Sequence, residues 1–174
     1  TLDMAKTKAL AASGVNRASL GVQDFDAKVQ EQINRVQPRP LVARSVSDLR
    51  AVGIEAISFD LMYGLPGQTV EGCVATVEQA VEMEPDRISV FGYAHVPWMK
   101  THQRLISDES LPDGGLRFEQ SEAIAETLER DGYVRVGLDH FARRDDAMAQ
   151  ALAEGNLRRN FQGYTTDTAD ALIG

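Results

Sequence analysis

The chain has 174 residues, 43% hydrophobic and 25% charged, which is enough to enclose one globular core. A net charge of −8 argues against nucleic acid or an anionic membrane as partner, although a local basic pocket can still take an anion. No apolar run reaches a membrane span and the first residues lack a basic, apolar, cleavable pattern, so a cytoplasmic location is expected, and the single cysteine, Cys73, excludes an internal disulfide or multi-thiol metal site within this chain.

The sequence opens at Thr1 inside a helical pattern, without an initiator Met, and reads as a fragment. Three joints, "AASGVNRASLGVQ", "RAVGIEAISFDL" and "ERDGYVRVGLDH", each run from helix through glycine into an apolar stretch. Gly14, Gly53 and Gly132 are expected in the left-handed conformation that ends a helix. Strands are expected near 17–22, 56–62, 87–93 and 133–138.

Between the strands the apolar period shifts to that of a helix. Val42, Val46 and Leu49 share a face of a helix entered through Pro38 and Pro40. Val70, Val74, Val77 and Val81 mark a second, capped by Thr69 and stopped near Glu84-Pro85. Leu116, Gln120, Ile124 and Leu128 form a mostly apolar stripe on a third, and Asp145 is placed to cap a short helix ending at Gly155. Residues 95–115 form a long irregular connection of the kind that carries function or moves.

This alternation implies parallel βαβ units. Two architectures fit: part of a (β/α) barrel, or an open doubly wound sheet. The first strand-to-helix turn has no GxGxxG, which weakens the dinucleotide-binding version.

In a parallel barrel, ligands sit where the strands end. Each apolar run here closes in hydrogen-bonding groups: Gln23, then Asp60, then Tyr93 with His95, then Asp139 with His140. Asp60 lies within an apolar run and needs a partner, because an unpaired buried carboxylate is costly. "YGLPGQT" reads as a strand-to-helix turn whose glycines let backbone approach a ligand, and equally as a plain turn. His95, His102 and His140 lack metal-ligand spacing, so no metal site is expected, and Cys73 reads as a small core residue. Arg143-Arg144 and Arg158-Arg159 read as exposed charges, though such pairs also suit a carboxylate-rich ligand.

Four longer segments go further: "GVNRASLGVQDFDAKVQEQINR", "IEAISFDLMYGLPGQT", "PDRISVFGYAHVPWMKTHQRLI" and "GLDHFARRDDAMAQALAEGNLRRNFQGYTT". Together they show that the chain resembles the oxygen-independent coproporphyrinogen III oxidases, radical S-adenosylmethionine (SAM) enzymes of haem biosynthesis. The resemblance spans essentially the whole sequence. It implies an α/β fold, a partial (β/α) barrel with parallel strands alternating with helices. Residues 1–174 would then be an incomplete catalytic domain, with barrel units to about 141 and a helical and loop segment over 142–174 near the mouth.

The resemblance also implies the chemistry. A 4Fe–4S cluster and SAM generate a 5′-deoxyadenosyl radical, which takes a hydrogen from a propionate of coproporphyrinogen III. Loss of carbon dioxide and one electron leaves a vinyl group, twice per substrate, giving protoporphyrinogen IX. Gln23, Arg35, Asp60 and Ala94 match family positions that hold SAM. Met62, Phe161 and Gln162 match the lining of a second SAM position, with Gln162 also a catalytic candidate. Tyr93 and the basic residues from Lys100 to Arg104 are candidates for the substrate mouth. Implied partners are coproporphyrinogen III, an electron donor and an electron acceptor, with no nucleic acid and no membrane, in a protein monomeric at full length.

The departure from the family is that the cluster-binding CxxxCxxC is missing, so its ligands lie outside this chain and the chain alone is expected to be inactive. A haem chaperone of the same superfamily is the rival reading. "SVFGYAHVPWMKTHQ", "DHFARRDD" and "NFQGYTT" follow the oxidase pattern instead. A sugar- or nucleotide-binding α/β domain would also place Gln23 and Asp60 at a ligand mouth.

Overall fold

The computed structural model describes residues 2–160, 163–166 and 168. The chain enters through α1 (Met4–Ala12), whose N-cap Asp3 accepts from the Lys6 amide, and Gly14 turns it into β1 (Arg17–Gln23) with φ of 85°. Helix α2 (Ala27–Gln32) is capped by Asp26, and α3 (Arg39–Arg50) starts at the expected prolines and buries Val42, Val46 and Leu49. Gly53 repeats the joint with φ of 89° before β2 (Ala56–Tyr63). Thr69 caps α4 (Val70–Val81) as expected, accepting from the Gly72 amide. Strand β3 (Arg87–Gly92) is followed by the long connection and then α5 (Gly114–Arg130).

Strands β1, β2 and β3 are parallel neighbours, which is the parallel βαβ arrangement the alternation implied. The fourth apolar run departs from the expected strand at 133–138. It is a hairpin of β4 (Tyr133–Arg135) and β5 (His140–Arg143), and β5 pairs antiparallel with β3, giving the order β1-β2-β3-β5-β4. Gly137, with φ of 97°, reverses the chain there. Downstream lie α6 (Ala147–Ala153) and the two-stranded pair β6 (Arg158–Asn160) and β7 (Gly163–Thr165). Asp146, not Asp145, caps α6 and also clamps Arg87, whose Nε lies 3.0 Å from each carboxylate oxygen.

The two faces of the sheet differ sharply. Val22, Ile57, Phe59, Leu61, Ile88, Val90 and Phe141 point to one side and are buried with Val42, Val46, Leu49, Cys73, Val77, Ile124 and Leu128 from α3, α4 and α5. Each such side chain contributes about 1.5–3 kcal/mol by leaving water. The opposite face carries Ser19, Gly21, Ser58, Asp60, Arg87, Ser89 and His140. Its β4–β5 end is covered, where Val136, Ala142, Met148 and Ala149 form a separate small core with Leu157 and Tyr164, and Ser89 on β3 is buried as well. No helix among the described residues is long and apolar enough to cross a membrane.

Candidate functional site

Strand register lines up one row across the open face: Gly21 opposite Asp60, Asp60 opposite Ser89, and Ser89 opposite His140. Asp60 has a side-chain partner of a kind the sequence did not suggest: Ser19 Oγ donates to its Oδ2 at 3.1 Å. At the β1 end, Arg35 donates from Nη2 to the Gly21 carbonyl at 2.6 Å. A Cβ on Gly21 would lie 2.9 Å from Gln23 Nε2 and 3.1 Å from Arg35 Nη2, so only glycine lets both side chains close over β1. Gln23, Arg35 and Asp60 are thereby brought together. A cleft of about 440 Å³ opens beside them, lined in part by Ser19, Gly21, Arg35, Gln37 and Ser45. A second cleft of the same size, lined by Glu84, Asp131, Tyr133 and Arg143, lies at the opposite ends of the strands.

Gln23 holds φ at 68°, a left-handed conformation that costs a non-glycine residue roughly 1–2 kcal/mol. What sustains it is a buried network that sequence reasoning missed. Asp24 is fully buried and accepts from the Asp26 amide at 2.6 Å, from Thr76 Oγ1 at 2.8 Å and from Gln68 Nε2. Gln68 also donates to the Met62 carbonyl at 2.9 Å and accepts from the Leu65 amide at 2.7 Å. Gln120 of α5 completes the set, donating to the Gln68 carbonyl and accepting from the Gly64 amide, both at 3.1 Å. The "YGLPGQT" turn is therefore tied to the end of β1 by side chains from three elements. Burial pushes the Asp24 carboxyl above its ordinary range, against the lowering pull of the three donors. The available signals were the second polar residue closing "GVQD" and the lone glutamine in the apolar stripe of α5.

Beyond β3, the Tyr93 hydroxyl lies 3.1 Å from His95 Nδ1, and His95 Nε2 lies 3.0 Å from Asp108 Oδ1. Burial raises the Tyr93 phenol above its usual value. The Ala94 carbonyl accepts from Gln103 Nε2 at 3.0 Å, and the same side chain accepts from the Val96 amide at 2.6 Å. The connection is thus irregular but anchored, with short turns at Thr101–Leu105 and Asp108–Ser110. Lys100, His102 and Arg104 are all exposed on it. Met62 shares the open face with Phe91, its register partner. Phe161 and Gln162 lie outside the described residues.

The residues fit SAM in kind: the Arg35 guanidinium lines the cleft, and the Asp60 carboxylate and the Gln23 amide stand beside it on β2 and at the end of β1. They do not fit an iron–sulfur cluster. Cys73 is buried inside α4 with its thiol pushed up to about 12 by burial, and no group of three or more His, Cys, Asp or Glu among the described residues is placed to hold a metal.

The sequence profile of the radical SAM superfamily matches residues 1–80. The chain is 56% identical over 174 residues to an oxygen-independent coproporphyrinogen III oxidase of Bradyrhizobium diazoefficiens, covering 100% of this chain and 39% of that protein. It is 46% identical over 173 residues to one from Cereibacter sphaeroides, covering 99% of this chain and 38% of that protein. A coproporphyrinogen III oxidase from Escherichia coli, described as a radical SAM enzyme, superposes with a TM-score of 0.92 at 41% identity, over 96% of this chain and 38% of that one. The chain spans under two fifths of the length of these relatives, at 39% and 38%.

Proposed function

We propose that this chain, which belongs to the oxygen-independent coproporphyrinogen III oxidases of the radical SAM superfamily, forms the SAM- and substrate-facing part of such an enzyme. The reaction is the oxidative decarboxylation of two propionates of coproporphyrinogen III to vinyl groups. The observation that carries the reading is the open row from Gly21 through Asp60 and Ser89 to His140, on a sheet whose other face is sealed by helices.

Within that reading each residue has a stated task. Asp60, steadied by Ser19 at one oxygen, turns the other to the ribose hydroxyls of SAM. Arg35 spends one N–H on the Gly21 carbonyl and offers the rest of its fork to the methionine carboxylate. Gln23, fixed by its backbone twist, supplies an amide to either end. Bound SAM, with a reduced cluster held by cysteines outside this chain, supplies the radical chemistry. The protein's own work is to orient that group against a propionate and to keep water away. Segment 142–174 belongs to the mouth, a placement supported by α6 and β6–β7 packing on the site face.

The test is a hybrid in which this chain replaces the matching residues of the Bradyrhizobium relative. Supplied anaerobically with SAM and a reductant, it should convert coproporphyrinogen III to protoporphyrinogen IX. A hybrid that folds, carries its cluster and binds SAM, yet leaves the substrate unchanged, would refute the reading.

A further inference from the structure

One corner of the open face lies away from the residues proposed to hold SAM. His140 ends the row, two strands from Asp60, which is about 10 Å at the spacing of neighbouring strands. Its Nδ1 lies 2.6 Å from Asp139 Oδ1. A carboxylate there accepts a hydrogen bond from Nδ1–H and fixes the ring, which leaves Nε2 to meet a ligand. Phe91 meets the ring edge-on at 6.0 Å and Tyr164 does so at 5.5 Å, so the imidazole stands between two aromatic walls. A Cβ on Gly163 would come 3.8 Å from Nε2, so glycine there keeps that nitrogen uncovered on the β7 side.

A second cation shares the corner. Arg159 stands opposite Tyr164 in the β6–β7 pair, with its guanidinium 5.5 Å from the centre of the same ring. Several neighbouring arginines are committed elsewhere: Arg87 to Asp146, Arg135 to Glu122 and Arg143 to Asp145. Among the described residues Arg159 has no carboxylate partner. In a chain with a net charge of −8, an imidazole and a guanidinium that both contact one aromatic ring make an arrangement suited to an anion.

We propose that His140 and Arg159, both braced by Tyr164, form a carboxylate-binding subsite that anchors a propionate of the tetrapyrrole substrate outside the reacting position. The inference rests on the proposed function. Two carboxylates are available to such a corner, the propionates and the aminoacyl end of SAM. The distance from Asp60 and the aromatic walls, which suit a pyrrole ring, favour the propionate. Toward a carboxylate, Nε2 acts as an N–H donor, and Asp139 behind the ring supplies the compensating charge.

The experiment titrates the chain with coproporphyrin III, the air-stable oxidised relative of the substrate with the same propionates, followed by fluorescence. His140→Ala should weaken binding about tenfold, equivalent to 1.4 kcal/mol. His140→Gln, whose amide donates from nearly the same point, should recover part of it. Arg159→Ala should weaken binding several-fold and flatten its salt dependence. The tetramethyl ester should bind both variants as it binds the unaltered chain, and SAM affinity should not move. Porphyrin affinity untouched by His140→Ala overturns this inference alone. So does an equal loss for the ester, which would mean packing, or for SAM, which would mean the other carboxylate. An unaltered chain that binds neither coproporphyrin III nor SAM overturns the functional reading as well.

Discussion

Replacing Asp24 by alanine should destabilise the chain by about 3 kcal/mol, a large share of the 5–15 kcal/mol typical of a domain. Three donors converge on that carboxylate, from the Asp26 amide, Thr76 Oγ1 and Gln68 Nε2. After truncation Gln68 keeps the Met62 carbonyl at 2.9 Å, and the Thr76 hydroxyl can turn, but no other acceptor replaces the carboxylate for the Asp26 amide. A buried orphan donor costs about 1–3 kcal/mol, and lost bonds to a charged acceptor cost roughly 1.5–3 kcal/mol, partly offset by removing a desolvated charge. Urea unfolding followed by far-UV circular dichroism should show a midpoint roughly 1–2 M lower. A midpoint within about 0.3 M of the unaltered chain would refute the network's role. The pH dependence gives a second check. Burial raises the folded-state pKa of Asp24, so its contribution is fully present below the unfolded value of about 3.9 and is lost as pH rises through the higher folded value. The stability gap between the two proteins should therefore narrow as pH rises from about 4. A gap that widens over that window would mean the three donors outweigh burial.

Asp60→Asn should weaken SAM binding by about tenfold in calorimetric titration, since a neutral amide holds ribose hydroxyls less well than a carboxylate; unchanged affinity removes Asp60 from the site. Gly64→Ala places a Cβ 2.7 Å from Arg117 Nη1 at φ of 78°, and a thermal melt should show a loss of about 1–2 kcal/mol, with an unaltered melting temperature counting against the strain. Asp146→Ala removes both the α6 cap and the partner of Arg87, so a loss of about 2–4 kcal/mol is expected, and Asn, which restores the cap alone, should recover about 1 kcal/mol of it. Cys73, with its thiol raised to about 12, should ignore a thiol reagent near neutral pH until urea unfolds the chain; labelling of the native protein would show that α4 opens or that the thiol is not buried.

Glycine makes the joints legible in the sequence, because Gly14, Gly53 and Gly132 take φ of 85°, 89° and 91°, where other residues are strained. The same residue type undoes the expected fourth strand, since Gly137 sits inside an apolar run and turns it into a hairpin. On α4 the valine stripe marks nearly the right face. The buried side is Cys73, Thr76, Val77 and Ala80, with Val70, Val74 and Val81 half-buried. The face is rotated because Thr76 must point inward to reach Asp24, a demand that originates on another element.

Demands of that kind divide the legible part of the site from the rest. Alternation alone places Asp60 opposite Ile57, Phe59 and Leu61, so a carboxylate on the open face follows from period two once the strand is found. His140 joins the same row only through the register of β5 against β3, and nothing in an alternation of strands and helices calls for an antiparallel neighbour. Asp24 is harder still: it lies one residue beyond β1 and its three donors come from a following loop, a turn and a helix face, none of which is local in pattern. Gln120 gives the general rule. A glutamine in an apolar stripe looks like a flaw in the helix, yet it is fully buried with both ends of its amide satisfied by the Gly64–Gln68 turn. Polar interruptions of a core face are therefore where the sequence records the site's supports, and their partners must be sought in the loops that close the strands.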